Sequence, residues 1–197
     1  ALSEAPAAKD IFTLHPATHV IGIGCERGVS IDDVRSLLET SLADAGVALG
    51  AVACLATIDL KEDERAFREL AAEWGLPLRL YTAAELEEET PRVQNTSPYV
   101  FETVGCHSVA EAAALRSAGA SAELVLPKCK NERATCAIAR SDTIVDPSGA
   151  GRACGRLTIV GIGPGQASWR APDFHWQQVN RFSTMRTQTR LMICLFS

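Results

Sequence analysis

Two hydrophobic periods alternate along the first 140 residues. The run from Thr18 to Ile23 is apolar and rich in β-branched residues, and it stops in Gly22, Gly24 and Gly28, with Cys25 and Arg27 between them. That pattern predicts a buried strand, a tight turn and the start of a helix. Ile31, Val34, Leu37, Leu38 and Leu42 then recur at helical spacing, so a helix is expected over 31–45, capped by Ser30 and ended by Gly46. Val47 to Ile58 reads as a second strand. Phe67, Leu70, Ala71 and Trp74 form one apolar stripe behind Glu62, Asp63 and Glu64, and Gly75 and Pro77 end that helix. Pro77 to Tyr81 is a short strand, and Thr82 to Glu85 has the capping-box spacing of a short acidic helix.

Beyond a polar loop at 91–98, Tyr99 to Val104 is β-prone and predicts another strand. Ser108 to Glu111 repeats the capping-box spacing ahead of an alanine-rich helix that ends at Gly119. Ala122 to Pro127 and Thr135 to Ala139 predict two strands joined by a basic turn, Lys128 to Arg133. Strands alternating with helices indicate an α/β fold: a mostly parallel sheet flanked by helices, with an antiparallel hairpin at its edge.

Periodicity fails on either side of this region. Residues 1–17 read as linker, and an opening alanine in place of methionine suggests a piece of a longer protein. Residues 141–155, with Asp146-Pro147-Ser148-Gly149, read as a second linker. A new strand running into glycines starts at Arg156. The tail over 174–197 shows no helix or strand logic.

A formal charge of −5 argues against a nucleic-acid partner. No basic patch followed by an apolar core opens the chain, and no apolar run approaches the roughly 20 residues of a membrane helix. The seven cysteines are scattered, with no CxxC pair, which suits reduced thiols in a cytoplasmic protein and no zinc site.

Four segments carry chemistry that could converge at one sheet edge. In the first, Gly22, Gly24 and Gly28 with Arg27 form a candidate anion cradle. Cys25 there is either a thiol with lowered pKa or a small residue filling the turn, the second being preferred. The second, Thr57 to Glu64, places Asp59 and Lys61 at a βα corner, where lysine can hold a carboxylate or phosphate. Solvated ion pairing is the bland alternative. The third spans Gly105, Cys106, His107, Ser108 and Glu111. Glu111 is a candidate base, although helix capping accounts for its position. A Cys106–His107 nucleophile is disfavoured because adjacent side chains in a turn diverge. The fourth is Lys128, Cys129 and Lys130 with Thr135.

Taken in order, these segments resemble the CobE/CbiG C-terminal family, the C-terminal module of cobalt-precorrin-5A hydrolase. They are Gly22 to Gly28, Ala56 to Glu64, Gly105 to Ala113, and Lys128 through Thr135 to Ala139, and the resemblance covers 18–140. Leu157 to Gly165 is similar to the opening of tetrapyrrole methyltransferases, so 156–173 reads as a truncated methyltransferase start. The order is that of a bifunctional fusion with precorrin-3B C17-methyltransferase.

The resemblance implies cobalamin biosynthesis. The hydrolase opens a δ-lactone and releases acetaldehyde, cobalt arrives with the precorrin or cobalt-precorrin substrate, and other enzymes of the pathway are possible partners. It implies no cofactor bound by 18–140. S-adenosylmethionine belongs to an intact methyltransferase domain, through Gly161, Gly163, Pro164 and Gly165. The substrate would be held by Gly22, Gly24, Cys25, Arg27, Gly28, Lys61, Gly105, Ser108, Lys128 and Thr135. Asp59, Glu64 or Glu111 would be the base for lactone opening. A non-catalytic carrier of the intermediate and a methyltransferase fragment are the competing readings.

Overall fold

Strands His19–Cys25 (β1) and Val52–Ile58 (β2) are buried along almost their whole length, as befits the centre of a sheet covered on both faces. The computed structural model describes residues 14–154 and the backbone of two later strands, Leu157–Thr158 (β7) and Cys194–Leu195 (β8). Helix Ile31–Ala45 (α1) crosses from β1 to β2. Helix Arg65–Trp74 (α2) then leads to strand Leu78–Tyr81 (β3). The short helices Ala83–Glu87 (α3) and Pro98–Val104 (α4) precede helix Ala110–Ala118 (α5). Strands Glu123–Lys130 (β4), Ala134–Arg140 (β5) and Arg152–Ala153 (β6) follow.

The spatial order of the sheet is β4-β5-β1-β2-β3-β6. Parallel pairing joins β1 to β2 and β2 to β3, while β1–β5, β4–β5 and β3–β6 are antiparallel. The α/β class holds, with the hairpin of β4 and β5 at one edge. The sheet is mixed: α1 and α2 provide the crossovers between its parallel neighbours, while β4, β5 and β6 join it antiparallel.

Alternation along the strands sends successive side chains to opposite faces. Ile21, Ile23, Leu55, Leu78, Leu80 and Ile138 meet Val34, Leu37, Leu38, Phe67 and Leu70 of α1 and α2. Val20, Cys54, Ala56, Ile58 and Ala139 meet the alanine-rich α5. The α1 boundaries match the expectation: the Ser30 side chain accepts from the Asp33 amide, and Gly46 adopts the left-handed conformation. The capping box of Thr82 and Glu85 is present at α3.

Three elements differ from the sequence reading. Tyr99 to Val104 is helix, not strand, because Ser97 caps it, Pro98 occupies its first turn and Gly105 ends it at φ +83°. These local signals outweigh the β-propensity of Tyr, Val and Phe. A 3-10 turn, Leu49–Ala51, precedes β2, so the second strand starts later than Val47. Residues 141–154, expected to be linker, run along the domain: Val145 is buried, and β6 pairs with β3.

The chain divides into two compact units, Ala1–Cys154 and Gly155–Ser197. In the second, β7 and β8 pair antiparallel. Gly161, Gly163, Pro164 and Gly165 lie outside the described residues. No helix among the described residues is long and apolar enough to cross a membrane.

Helix α5 lies against β1 at Gly22. A Cβ there would overlap the Ala110 carbonyl and sit 2.7 Å from the Ala114 amide nitrogen. The alanines of α5 and Gly22 are therefore one packing device, and neither partner can grow. Gly22→Ala should destabilise the fold by about 3 kcal/mol, read as a lowered midpoint of denaturant unfolding.

Candidate functional site

A cleft of about 750 Å³ opens beyond the C-terminal ends of β1 and β2. This is where open α/β sheets commonly take ligands. Gly24, Cys25 and Arg27 border it from the end of β1 and the turn after it, and Ile58, Leu60 and Lys61 from the corner after β2. The start of α5 supplies Val109 and Ala110, and the β4–β5 hairpin supplies Lys128, Lys130, Arg133 and Thr135. Helix α4 forms the remaining wall with Tyr99, Val100, Thr103 and Val104.

The lining is electropositive. Arg27, Lys61, Lys128, Lys130 and Arg133 stand against two acids, Glu26 and Glu132, in a chain whose formal charge is −5. Arg27 reaches Asp63 at 3.2 Å and donates to the Leu60 carbonyl. Arg133 pairs with Glu26 at 3.6 Å and donates weakly to the Arg27 and Gly28 carbonyls. Lys61 lies 4.0 Å from Glu64. Lys128 and Lys130 make no ion pair among the described residues, which leaves two cations available to an anionic ligand. No cluster of metal-binding side chains occurs among the described residues.

Glu111 organises two of the walls from below. It is fully buried, yet its carboxyl is held below the ordinary value. Burial pushes it up, and four hydrogen bonds overcome that push. Oε2 accepts from the Gln94 and Asn95 amides at 2.8 and 2.9 Å. Oε1 accepts from the Asn95 side chain and from the Lys128 amide, both at 2.8 Å. One carboxylate thus fixes the loop that leads into α4 and the strand that bears the cleft lysines.

The family described as cobalamin synthesis G C-terminus matches residues 19–139, a span that holds the whole lining of this cleft. The chain belongs to that family. Protein CobE of Sinorhizobium sp is 42% identical to it over 125 residues, 64% of this chain and 81% of CobE. Cobalt-precorrin-5A hydrolase of Priestia megaterium is 34% identical over 124 residues, 63% of this chain and 32% of the hydrolase. The chain therefore spans about a third of that enzyme. A crystal structure of CobE, a protein from the cobalamin (vitamin B12) biosynthetic pathway, superposes with a TM-score of 0.59 at 35% identity. The superposition covers 68% of this chain and 96% of that one.

In this cobalamin-synthesis domain the four segments do meet, but not every residue singled out reaches the cleft. Gly24, Cys25, Arg27, Lys61, Lys128 and Thr135 line it. Gly22 is spent on packing against α5, and the Gly28 amide already donates to Glu64 at 3.2 Å. The glycine turn is therefore not an open anion cradle. Glu64 is buried beneath that turn. Asp59 begins a 3-10 turn, Asp59–Lys61, and Gly105 ends α4; neither lines the cleft.

The capping box expected at Ser108 does not form. Helix α5 starts at Ala110 without a side-chain cap, and the buried Ser108 hydroxyl has no partner among the described residues. Glu111 turns instead to distant amides, so its candidacy as a base gives way to a structural role. Burial pushes the Cys25 thiol up to about 11 despite the nearby Lys61, which suits the turn-filling reading. Burial, then Glu87, pushes Cys106 up to about 11, and His107 bonds to Glu87 instead, at 2.8 Å.

The sequence reading missed Tyr99, Val100, Thr103 and Val104 because it took α4 for a strand. It placed Lys130 in the fourth segment and Arg133 in the basic turn, without naming either as a substrate residue. The Ser97-Pro98 start signal and the Gly105 stop were the cues available.

Glu111→Gln should destabilise the domain by about 3 kcal/mol, because an amide cannot accept from all four donors. A carboxyl held low contributes stability above its unfolded value, 4.5, and loses it as pH falls through the lower folded value. Urea midpoints measured downward from neutral pH should drop steeply below pH 4.5 in the wild type and less in the variant.

Proposed function

We propose that the cleft binds a polycarboxylate tetrapyrrole of cobalamin biosynthesis, a precorrin or cobalt-precorrin, with its lysines and arginines holding the side-chain carboxylates. One observation carries this reading: five cations converge on one cleft of an otherwise acidic chain. Family membership supports the choice of pathway. Lys128 and Lys130 are the principal anchors, since Arg27 and Arg133 are already partly engaged by Asp63 and Glu26.

The module acts by binding and presenting its ligand. Opening a lactone by water needs a base that reaches the substrate. Glu64 and Glu111 are buried and committed to backbone amides, and Asp59 stands off the cleft; of the two acids that line it, Glu26 pairs with Arg133 and Glu132 is exposed on the hairpin turn. The hydrolytic centre of the parent enzyme, in this reading, draws on parts of the hydrolase that this chain does not span. This favours the carrier role for the domain itself.

The longer protein is a cobalt-precorrin-5A hydrolase fused to precorrin-3B C17-methyltransferase. The likeness of Leu157 to Gly165 to a methyltransferase opening supports that extension. Any S-adenosylmethionine would be held in an intact methyltransferase domain, cobalt would arrive with the substrate, and the protein would work in the cytoplasm.

Absorbance titration with cobyrinic acid, a corrinoid polycarboxylate, tests the binding role. The full chain should show saturable binding that weakens with added salt. The Lys128→Ala/Lys130→Ala double variant should lose affinity by roughly tenfold or more while remaining folded. Absence of binding by folded wild-type protein would sink this reading.

A further inference from the structure

Among the described residues, helix α4 is the one helix longer than a single turn that buries none of its residues, although it forms a wall of the cleft. Tyr99, Val100, Thr103 and Val104 share its cleft-facing side, as helical spacing requires of such positions. The opposite side is pinned from behind. Phe101 stacks on His107 with ring centres 4.4 Å apart. His107 in turn offers its backbone amide and Nδ1 to Glu87 at 2.9 and 2.8 Å. The Ser97 amide donates to the His107 carbonyl at 2.9 Å, which closes the base of the excursion. The helix is thus held in place while its front remains uncovered.

Exposed apolar surface collects at this point. Six large apolar side chains stay exposed among the described residues. Two of them, Tyr99 at 76% and Leu60 at 48%, line the cleft, and a third, Phe101, sits on the same helix. Exposed apolar side chains gathered at one cleft, unlike ones scattered singly, mark a surface on which something docks. Charge complementarity says what kind of molecule that is. The cover must bring anionic groups for Lys128 and Lys130, carboxylates under the binding role proposed above, and a broad apolar body for Tyr99, Val100 and Val104. An acyclic polyanion supplies only the first.

We infer that α4 is a specificity wall, with Tyr99 lying against the flat apolar face of a macrocyclic polycarboxylate while the hairpin lysines hold its rim. This rests on the binding role proposed for the cleft and assigns the ring-reading part of it to α4. Aromatic rings favour offset contact with extended apolar surfaces, and such stacking supplies affinity that charge alone does not.

The test compares two ligands across two sets of variants of the full chain. Cobyrinic acid carries the ring, and citrate is the acyclic polycarboxylate. Tyr99→Ala should weaken cobyrinic acid binding roughly tenfold and leave citrate unchanged, with Tyr99→Phe restoring most of the loss. The exposed position of Tyr99 keeps these variants folded, which circular dichroism checks. The Lys128→Ala/Lys130→Ala variant should weaken both ligands. If Tyr99→Ala leaves cobyrinic acid affinity intact, or lowers both affinities equally, α4 does not read the ring. If the lysine variant changes neither ligand, the cationic cleft itself is misassigned.

Discussion

The carboxylate of Glu111 is the constraint on which the cleft depends. A buried anion is tolerable only when its lone pairs are met, and here four N–H donors meet them. The donors come from the loop ahead of α4 and from β4, two segments with no direct sheet pairing to one another. Helix α5 carries the anion, and the same helix is seated on β1 through Gly22 and its alanines. One residue therefore transmits the position of the central strand to both the apolar wall and the lysine wall. The first turn of a helix is also a favourable place for a negative charge, which lowers the cost of holding it there.

The remaining boundary of the cleft follows from the parallel core. β1 and β2 run the same way, so both strands turn out at the same edge, and their following segments bring Arg27 and Lys61 to one cleft. The Thr57 hydroxyl donates to the Ile23 carbonyl at 2.7 Å in the buried interior, tying the two strands just below that edge. The glycine turn after β1 is closed by the protein's own groups, through Glu64 and through the Glu26 amide donating to the Arg133 carbonyl. In the proposed binding role, anion recognition would fall to side chains on the hairpin, because backbone amides of the turn are already paired. Long, flexible lysines can follow carboxylates spaced around a large ligand, where a rigid amide nest would fit one small anion.

Family membership and cleft chemistry point the same way. A cobalamin-synthesis domain that spans about a third of a hydrolase it resembles offers a cationic, partly apolar cleft, and of the acids that line it Glu26 pairs with Arg133 while Glu132 is exposed. Binding and presentation of a labile polycarboxylate are compatible with that division. The extra strand β6 lies beyond the matched residues, yet it belongs to the same sheet, and Arg152 makes a two-pronged ion pair with Glu62 at 2.8 Å. The segment after the hairpin is consequently part of this domain's edge.

Local signals in the sequence determined much of the frame. The spacing of Val34, Leu37, Leu38 and Leu42, with Ser30 and Gly46 at the ends, defined α1 because helix periodicity and capping act within a few residues. The Thr82–Glu85 box did the same for α3. The sequence also named Arg27, Lys61, Lys128 and Thr135, since βα corners and basic turns are visible as short motifs. It misplaced α4, where the β-propensity of Tyr99 to Phe101 masked the weight of Ser97, Pro98 and Gly105. It could not assign Glu111. The spacing from Ser108 was that of a capping box, whereas the donors that claim its carboxylate stand 16 and 17 residues away. Only tertiary packing brings those amides to a buried anion, and only then does the cost of leaving it unpaired outweigh the local motif.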